Sequence, residues 1–527
     1  MTGEAWAPLR IPTFRMLWLV WATANVCLWM NDVAAAWMMT TLTDSAVLVA
    51  LVQTASSLPV FLLGIPSGAL ADILDRRAYF IATQVWVAVN AAVLFIVGFL
   101  GYITAPILLL LVFTNGIGLA MRWPVFAAII PEIVPRHHLQ SALALNGVAM
   151  NASRVVGPLV AGAIIASAGS EFVFALNFAL SVAAAVALTR WKRKSVPSVL
   201  PGERFIGAMR TGWQYVRESK RMKDVIVRTS AFFLHSTALI ALLPLEAKRI
   251  GQGAGTYSLL LSAMGAGAIF AAVQITKVRA VWNRDQLVVR GSVVQAACTA
   301  IVALAPNAWV AAPAMFVAGM SWILVANTVT LSAQLALPNW VRARGMSIYQ
   351  MAIMGSSALG AVIWGRIAEW TGVPASLGVA AVSMLVFLVL TRGRPLEGQE
   401  EEDYTPTHPW EEPVPSRPVD VHEGPVMVTF EYTIDPARAG EFHEVMGESR
   451  SARMREGAIS WGLFEDVQQP GRYVEYFVCE TWADYLRRFD RFTAADERLR
   501  ERRHALHVGS EPPRVGRFVA SHTASRR

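Results

Sequence analysis

Residues 46–100 read AVLVALVQTASSLPVFLLGIPSGALADILDRRAYFIATQVWVAVNAAVLFIVGFL. Two apolar runs, 46–71 and 78–100, flank a turn that holds Asp72, Asp75, Arg76 and Arg77. Each run reaches the roughly 20 mostly apolar residues that a bilayer-spanning helix needs. Further runs of this kind lie at about 14–41, 105–130, 139–166, 172–190, 225–246, 256–277, 286–305, 308–335, 345–370 and 374–391. With the first two they make twelve, and the fold they predict is an all-α polytopic membrane protein.

The loops alternate in basic content. Arg10 and Arg15, Arg76 and Arg77, Arg136, the segment Arg190–Lys223, Lys277 to Arg284, Arg342 and Arg344, and Arg392 and Arg394 fall on one side. The loops at 42–45, 101–104, 167–171 and 306–307 hold no Lys or Arg, and only Lys248 and Arg249 break the pattern. The positive-inside rule then predicts a multi-pass protein of the plasma (inner) membrane with both termini in the cytoplasm. The polar stretch before the first run shows no small-residue cleavage site after it, so that run reads as a retained span.

The composition agrees. The 527 residues are 54% hydrophobic and 16% charged, against about 25% charged in average soluble domains. The net charge of +8 sits mostly in short loops, which argues against nucleic acid as a partner and for the lipid bilayer. Cys27, Cys298 and Cys479 are scattered, so neither a disulfide framework nor a metal site is predicted, and no cofactor motif is present.

Two segments depart from the apolar pattern. The linker 191–224 lies within a stretch, Arg190–Lys223, that carries ten Lys or Arg against Glu203 and Glu218. Phe205, Met209, Trp213 and Val216 recur there at helical spacing, an apolar face suited to the inner membrane surface or to packing between two halves. Residues 392–424 form an acidic linker, with six prolines and nine acids between Pro395 and Glu423. Beyond it, strands are expected at Val426–Ile434, Ile459–Val467, Arg472–Glu480 and Val515–Ala520, with helices at Pro436–Arg455 and Trp482–Leu506. That order, β-α-β-β-α-β, predicts a ferredoxin-like α+β domain over 425–520, able to fold alone and to self-associate.

Laying the chain over itself at an offset of 203 pairs Gly157 with Gly360, Gly162 with Gly365, Gly64 with Gly267 and Arg76 with Arg279. Two parallel six-helix repeats, about 14–190 and 225–391, are the expected architecture. The same offset pairs Asp32 with His235 and sets Ile275 against Asp72.

The turn Gly64-Ile-Pro-Ser-Gly68-Ala-Leu-Ala-Asp72-Ile-Leu-Asp75-Arg76-Arg77 resembles the signature loop of major facilitator transporters, with Asp75 where glycine is commoner. In that family the loop latches one end of the two halves, so the resemblance implies a latch of Gly64, Gly68, Asp72, Arg76 and Arg77. A second string, from Pro131 through Asn146 and Asn151 to Arg154-Val-Val-Gly157-Pro158 and Gly162, resembles the enterobactin-exporter branch, the transmembrane secretion effectors. The resemblance covers about 1–391 and implies export of siderophores or drug-like compounds in exchange for protons. Val112 stands where many drug–proton antiporters place an arginine. The tail resembles the dimeric α+β barrels of the antibiotic-biosynthesis monooxygenase type; His443, Trp461 and His504 are its candidate pocket residues, and a fold of this kind does not by itself make an enzyme.

Ionisable groups inside spans are costly and mark function by default. Asp32 beside Asn31, Arg122, Arg154 and His235 are therefore the candidates for substrate or proton contact. Gly157, Pro158, Gly162, Gly360 and Gly365 are candidates for helix packing. The predicted function is proton-coupled efflux of a small organic compound by alternating access. Two alternatives stand beside it, an importer on the same fold and a membrane-tethered monooxygenase-like domain.

Overall fold

The computed structural model describes residues 6–135, 138–191, 205–251, 253–338, 340–397, 407 and 415–521. They fall into two compact units. The larger comprises residues 1–200, 225–332 and 347–397. The smaller comprises 201–224, 333–346 and 398–527.

The larger unit is built from α1 (Pro12–Leu42), α2 (Ala46–Ile73), α3 (Arg76–Phe99), α4 (Ala105–Ile133), α5 (Leu139–Ser167) and α6 (Ser170–Thr189), followed after α7 (Phe205–Glu218) by α8 (Lys220–Ile250), α9 (Ala254–Val281), α10 (Arg284–Leu304), α11 (Ala308–Leu335), α12 (Arg342–Thr371) and α13 (Val373–Leu390). Short polar turns start these helices. Ser45 caps α2 by accepting from Leu48 N, Asp75 caps α3 by accepting from Ala78 N, and Asn283 forms a capping box with Gln286 on α10. Among the described residues eleven helices are long and apolar enough to cross a membrane. The 31-residue α1 is not among them, because Trp18, Trp21, Trp29, Trp37, Asn25, Asn31 and Asp32 lower its mean hydropathy.

The helix starts recur along the chain, but in a register that differs from the expected one. Helices α4, α5 and α6 begin at Ala105, Leu139 and Ser170, and an offset of 203 carries these starts to Ala308, Arg342 and Val373, where α11, α12 and α13 begin. Helices α2 and α3 begin at Ala46 and Arg76, and an offset of 208 is needed to reach Ala254 and Arg284, where α9 and α10 begin. Close backbone contacts carry this larger offset to the first helix of each half. A Cβ on Gly157 would lie 3.2 Å from Val26 O, and one on Gly360 would lie 2.3 Å from Leu234 O. Val26 and Leu234 are thus equivalent, again at an offset of 208. The change of offset arises where α10, with 21 residues against 24 in α3, turns into α11 through a shorter loop.

The pairings in the first three helices are corrected accordingly. Asp32 corresponds to Ile240 and His235 to Cys27, so the two titratable groups are not repeat partners. Gly64 and Gly267 are not equivalent either. Asp72 corresponds to Ala280 instead of Ile275, and Arg76 to Arg284 instead of Arg279. The two N-caps, Asp75 and Asn283, now coincide.

The smaller unit holds a four-stranded antiparallel sheet of β1 (Val426–Thr433), β2 (Ser460–Glu465), β3 (Arg472–Cys479) and β4 (Arg514–Val519), in the order β2-β3-β1-β4. Tyr473, Glu475, Phe477 and Cys479 alternate along β3 toward the buried side. α14 (Ala439–Arg455) contributes Phe442, Val445 and Met446 to the same core as Tyr432 and Tyr473. The helix expected over Trp482–Leu506 is two helices, α15 (Trp482–Arg491) and α16 (Ala494–His504). Phe492 takes an extended conformation, buries its ring, and Thr493 starts α16 in a capping box with Asp496.

The tail domain does not stand alone in its unit. Helix α7 packs there through buried Thr211, Tyr215 and Val216, while Trp213 stays 58% exposed. Arg210 pairs with Glu480, Arg450 reaches Glu218 at 3.4 Å, and Gln214 donates to Ala458 O at 3.3 Å. Tyr215 donates to Ala336 O at 3.2 Å, and the Arg491 guanidinium lies 4.5 Å over Trp340. The stretch between the two helical halves and the turn between α11 and α12 are thus fastened to the tail's fold. About half of the acidic linker, 398–406 and 408–414, lies outside the described residues. Its ends are held: Asp285 accepts from Leu396 N and Glu397 N at 3.1 Å, and Trp482 N donates to Glu423 O at 2.8 Å.

Candidate functional site

The two halves of the larger unit meet through glycines placed by the repeat. A Cβ on Gly162 of α5 would lie 2.4 Å from Ser258 Cβ of α9, and one on Gly365 of α12 would lie 2.6 Å from Ala50 Cβ of α2. Ser258 and Ala50 are related by the offset of the early helices and the two glycines by that of the late ones, so the contacts are repeat-related. Small residues let helices approach closely where no hydrophobic force from water drives them together. Gly157 and Gly360 do the same inside their own halves, against α1 and α8, with Pro158 directly after Gly157.

Polar ties join the same ends of the halves, beside the loops without Lys or Arg. Lys248 Nζ donates to Thr40 O at 3.2 Å and to Asp44 at 3.3 Å. Glu369 of α12 accepts from Ser45 Oγ at 3.0 Å and Val47 N at 3.2 Å, placing a carboxylate on the free N–H groups at the start of α2.

Two charged side chains sit where the halves approach. Asp32 of α1 accepts from Ser56 Oγ of α2 at 3.4 Å, and Tyr257 of α9 is buried. Trp37 stacks on Tyr257 with centroids 6.4 Å apart. Arg154 of α5 lies 4.4 Å from the Trp322 ring of α11 and 5.7 Å from that of Trp29 on α1. Cation–π contact of a desolvated guanidinium is worth on the order of 2 kcal/mol, which helps hold that charge among apolar helices. Trp322 in turn meets Phe233 of α8 edge-on at 5.7 Å. One acid and one cation therefore come from the first half, and Tyr257, Trp322 and Phe233 from the second. The second half's repeat positions for the charges are Ile240 and Ser357, so the site is asymmetric.

The other candidates lie elsewhere. Asn31 points into the first half, where Asn177 of α6 donates to it at 3.4 Å and Ser181 supports Asn177 at 3.1 Å. Arg122 is buried inside that half, donating to Gln84 at 3.4 Å with its guanidinium 5.5 Å over Trp21. His235 bonds to Ala231 O at 2.6 Å, and its ring lies 5.6 Å from Trp364 and 5.0 Å from Phe387. Those contacts place it against α12 and α13, apart from Asp32. Trp29, Trp322 and Tyr257 were missed by sequence reasoning. An aromatic residue inside a span is the signal that would have named them.

The loop motif is described in part. A Cβ on Gly64 would meet Met351 Cγ of α12 at 3.3 Å. Arg76 opens α3, and Arg77 donates to Thr189 O of α6 at 2.5 Å. The surroundings of Gly68 and the side chain of Asp72 lie outside the described residues. In the tail, His504 lines a cavity, Trp461 donates to Glu475 at 3.0 Å, and His443 is exposed beside Tyr473. Among the described residues no three His, Cys, Asp or Glu side chains converge as a metal site.

A family model described as transmembrane secretion effector matches residues 3–525. Macrolide efflux protein A of Streptococcus pyogenes is 24% identical over 236 residues, 44% of this chain and 58% of that protein. The Staphyloferrin A transporter of Staphylococcus aureus (strain NCTC 8325 / PS 47) is 25% identical over 140 residues, 26% of this chain and 35% of that protein. The chain thus spans little more than half the length of the first of these relatives. Among solved structures, a POT family transporter in complex with 5-aminolevulinic acid aligns with a TM-score of 0.62 at 11% identity, covering 72% of this chain and 96% of that one.

Proposed function

Because the chain belongs to the transmembrane secretion effector family, we propose that it is a secondary active exporter of a small organic compound, driven by protons. The family and its structural neighbours are transporters, not enzymes. The substrate class we assign is a drug, siderophore or secondary metabolite, supported by the names of the two relatives. We read residues 1–391 as the transporter domain with α1 as its twelfth span, in the plasma membrane with both termini cytoplasmic. Loop charge supports that orientation.

The observation that carries this reading is Asp32, bonded only weakly to Ser56, on the helix whose Trp37 stacks on Tyr257 of the other half. A carboxylate there can take up a proton from one side, release a bound cation or hydroxyl-bearing substrate, and give the proton up on the other. Arg154, spread over Trp29 and Trp322, offers an aromatic-lined positive end to the same substrate. His235 is left out of the coupling path by its packing against Trp364 and Phe387. In reconstituted vesicles with an imposed pH gradient, Asp32→Asn is expected to lower substrate efflux at least tenfold, while His235→Gln stays within about twofold of wild type. Undiminished pH-driven efflux by Asp32→Asn would sink the coupling role.

The tail we read as ferredoxin-like, supported by the β2-β3-β1-β4 order. Its sheet presents Met427, Phe464 and Phe518, which are 38%, 61% and 52% exposed, as the face a second copy covers. Phe464→Cys in the full-length chain is expected to form a disulfide-linked dimer under mild oxidation. A chain that stays monomeric on non-reducing gels counts against self-association.

A further inference from the structure

The tail domain holds a partly open cavity of about 270 Å³ between its sheet and helices α14, α15 and α16. This volume lies at the lower edge of ligand pockets, about 300–1,000 Å³, so it suits a molecule of one or two fused rings and excludes a large macrocycle. Aromatic walls are supplied by Phe430, Phe477, Tyr485 and Phe489.

Its charge is strongly one-sided. Arg453, Arg488, Arg500, Arg503 and Arg517 line it, against Glu456, with Glu475 buried behind. Arg488 is neutralised by Glu456 and lies 3.9 Å over Phe477. Arg453 is neutralised by Glu475 at 3.2 Å. Arg517 donates to the Tyr485 hydroxyl at 2.7 Å, so it spends no carboxylate. Arg503 is the informative one. It is 5% exposed, donates to Ser449 Oγ at 2.8 Å, stands 3.9 Å from Glu475, and leaves its Nε with no hydrogen-bond partner. A buried guanidinium N–H without an acceptor is costly, and its natural complement is a planar carboxylate. The field shows in His504 as well: burial first, then Arg503 and Arg500, hold its imidazole down at about 4, leaving it neutral near pH 7.

We propose that this cavity is a binding site for a small aromatic acid, its ring held among Phe430, Phe477 and Phe489 and its carboxylate received by Arg503 and Arg517. The site is separate from the Asp32 and Arg154 region and does not depend on the export reading. Arginine is suited to the role because its rigid fork bonds a carboxylate through two parallel N–H groups while its flat face stacks on aromatic rings.

The test uses the full-length chain in lipid nanodiscs, with empty nanodiscs as the partition control, and calorimetric titration of three probes of one shape. 2-Naphthoate is expected to bind saturably at one site per chain. 2-Naphthol and 2-naphthylmethylamine are expected to bind at least tenfold more weakly. Arg517→Gln should weaken naphthoate at least fivefold, and Val515→Trp, which fills the cavity and leaves every charge in place, should abolish it. Hydrogen exchange of strands β1 and β3 reports that each variant is folded. No saturable naphthoate binding, equal binding of the three probes, or unchanged binding to folded Val515→Trp overturns the proposal.

Discussion

Glu475→Gln is expected to destabilise the tail domain by about 3–5 kcal/mol, the range for removing one partner of a buried ionic group. Glu475 is fully buried in the middle of β3, between two apolar clusters. It accepts from Arg453 at 3.2 Å, from Trp461 at 3.0 Å and from the Tyr432 hydroxyl at 3.1 Å, with Arg503 at 3.9 Å. Burial pushes its carboxyl up, but Arg453 and Arg503 overcome that and hold it at about 2, below the ordinary 4.5. Glutamine keeps the shape and loses the charge, which leaves two guanidiniums in the core uncompensated. The depressed value also fixes a pH window. The stabilisation is present above about 4.5 and is lost as pH falls toward 2, because the unfolded chain then binds the proton more readily. Hydrogen exchange of peptides covering 426–433 and 472–479 in the full-length chain measures both effects. The variant should open far more readily at pH 7 and lack the wild-type acid limb, and Arg503→Gln on top of it should recover part of the loss. Opening free energies that match wild type would show that the Glu475 charge contributes nothing net.

The helical outline was legible because its determinants are local. Span length follows from bilayer thickness, and the alternation of basic loops is readable without any knowledge of packing. Asp32 and Arg154 were legible for a related reason, since a charge in an apolar run stands out by itself. Trp29, Trp322 and Tyr257 carry the signal of an aromatic residue inside a span, but many spans hold such residues, and these three acquire their role only where separate helices meet. The repeat was misread at one point with a large consequence. The offset of 203 holds for the last three helices of each half, and carrying it into the first three made Asp32 and His235 look like partners. The shortening lies at the α10–α11 turn, and chance glycine and alanine matches such as Gly64 with Gly267 concealed it. The adjacent pairs Asp75-Arg76 and Asn283-Arg284, each an N-cap followed by a helix start, carried the correct register in plain sight. The linker helix was legible as amphipathic, while the partner of its buried face was not, because Glu480, Arg450 and Ala458 lie beyond the whole second half of the helical repeat in sequence.

Gly319→Ala is expected to be one of the two most damaging glycine-to-alanine substitutions in the helical unit, with Gly267→Ala its equal. An ideal Cβ on Gly319 of α11 would lie 1.8 Å from Met264 O of α9, and one on Gly267 of α9 would lie 1.8 Å from Phe316 O of α11. The two glycines thus face one another's backbone at a single crossing. Neither obstacle is the end of a flexible side chain, so a methyl there must push the helices apart. The matching crossing in the first half is looser: a Cβ on Gly116 of α4 would lie 2.8 Å from Pro59 Cγ and 2.9 Å from Ser56 O. Overpacking a well-filled contact costs roughly 1–3 kcal/mol, and here the upper end or beyond is expected because lipid offers the separated helices no penalty that would press them together again. Gly147→Ala on α5, where a Cβ meets nothing within 4 Å, should be silent. The check is the melting temperature of each variant in detergent, read as the monodisperse fraction on size exclusion after heating. The predicted order of loss is Gly319→Ala, then Gly116→Ala, then Gly147→Ala at the wild-type value. If Gly319→Ala melted with Gly147→Ala, α9 and α11 would not be in backbone contact, and the tight crossing of the second half would have to be given up.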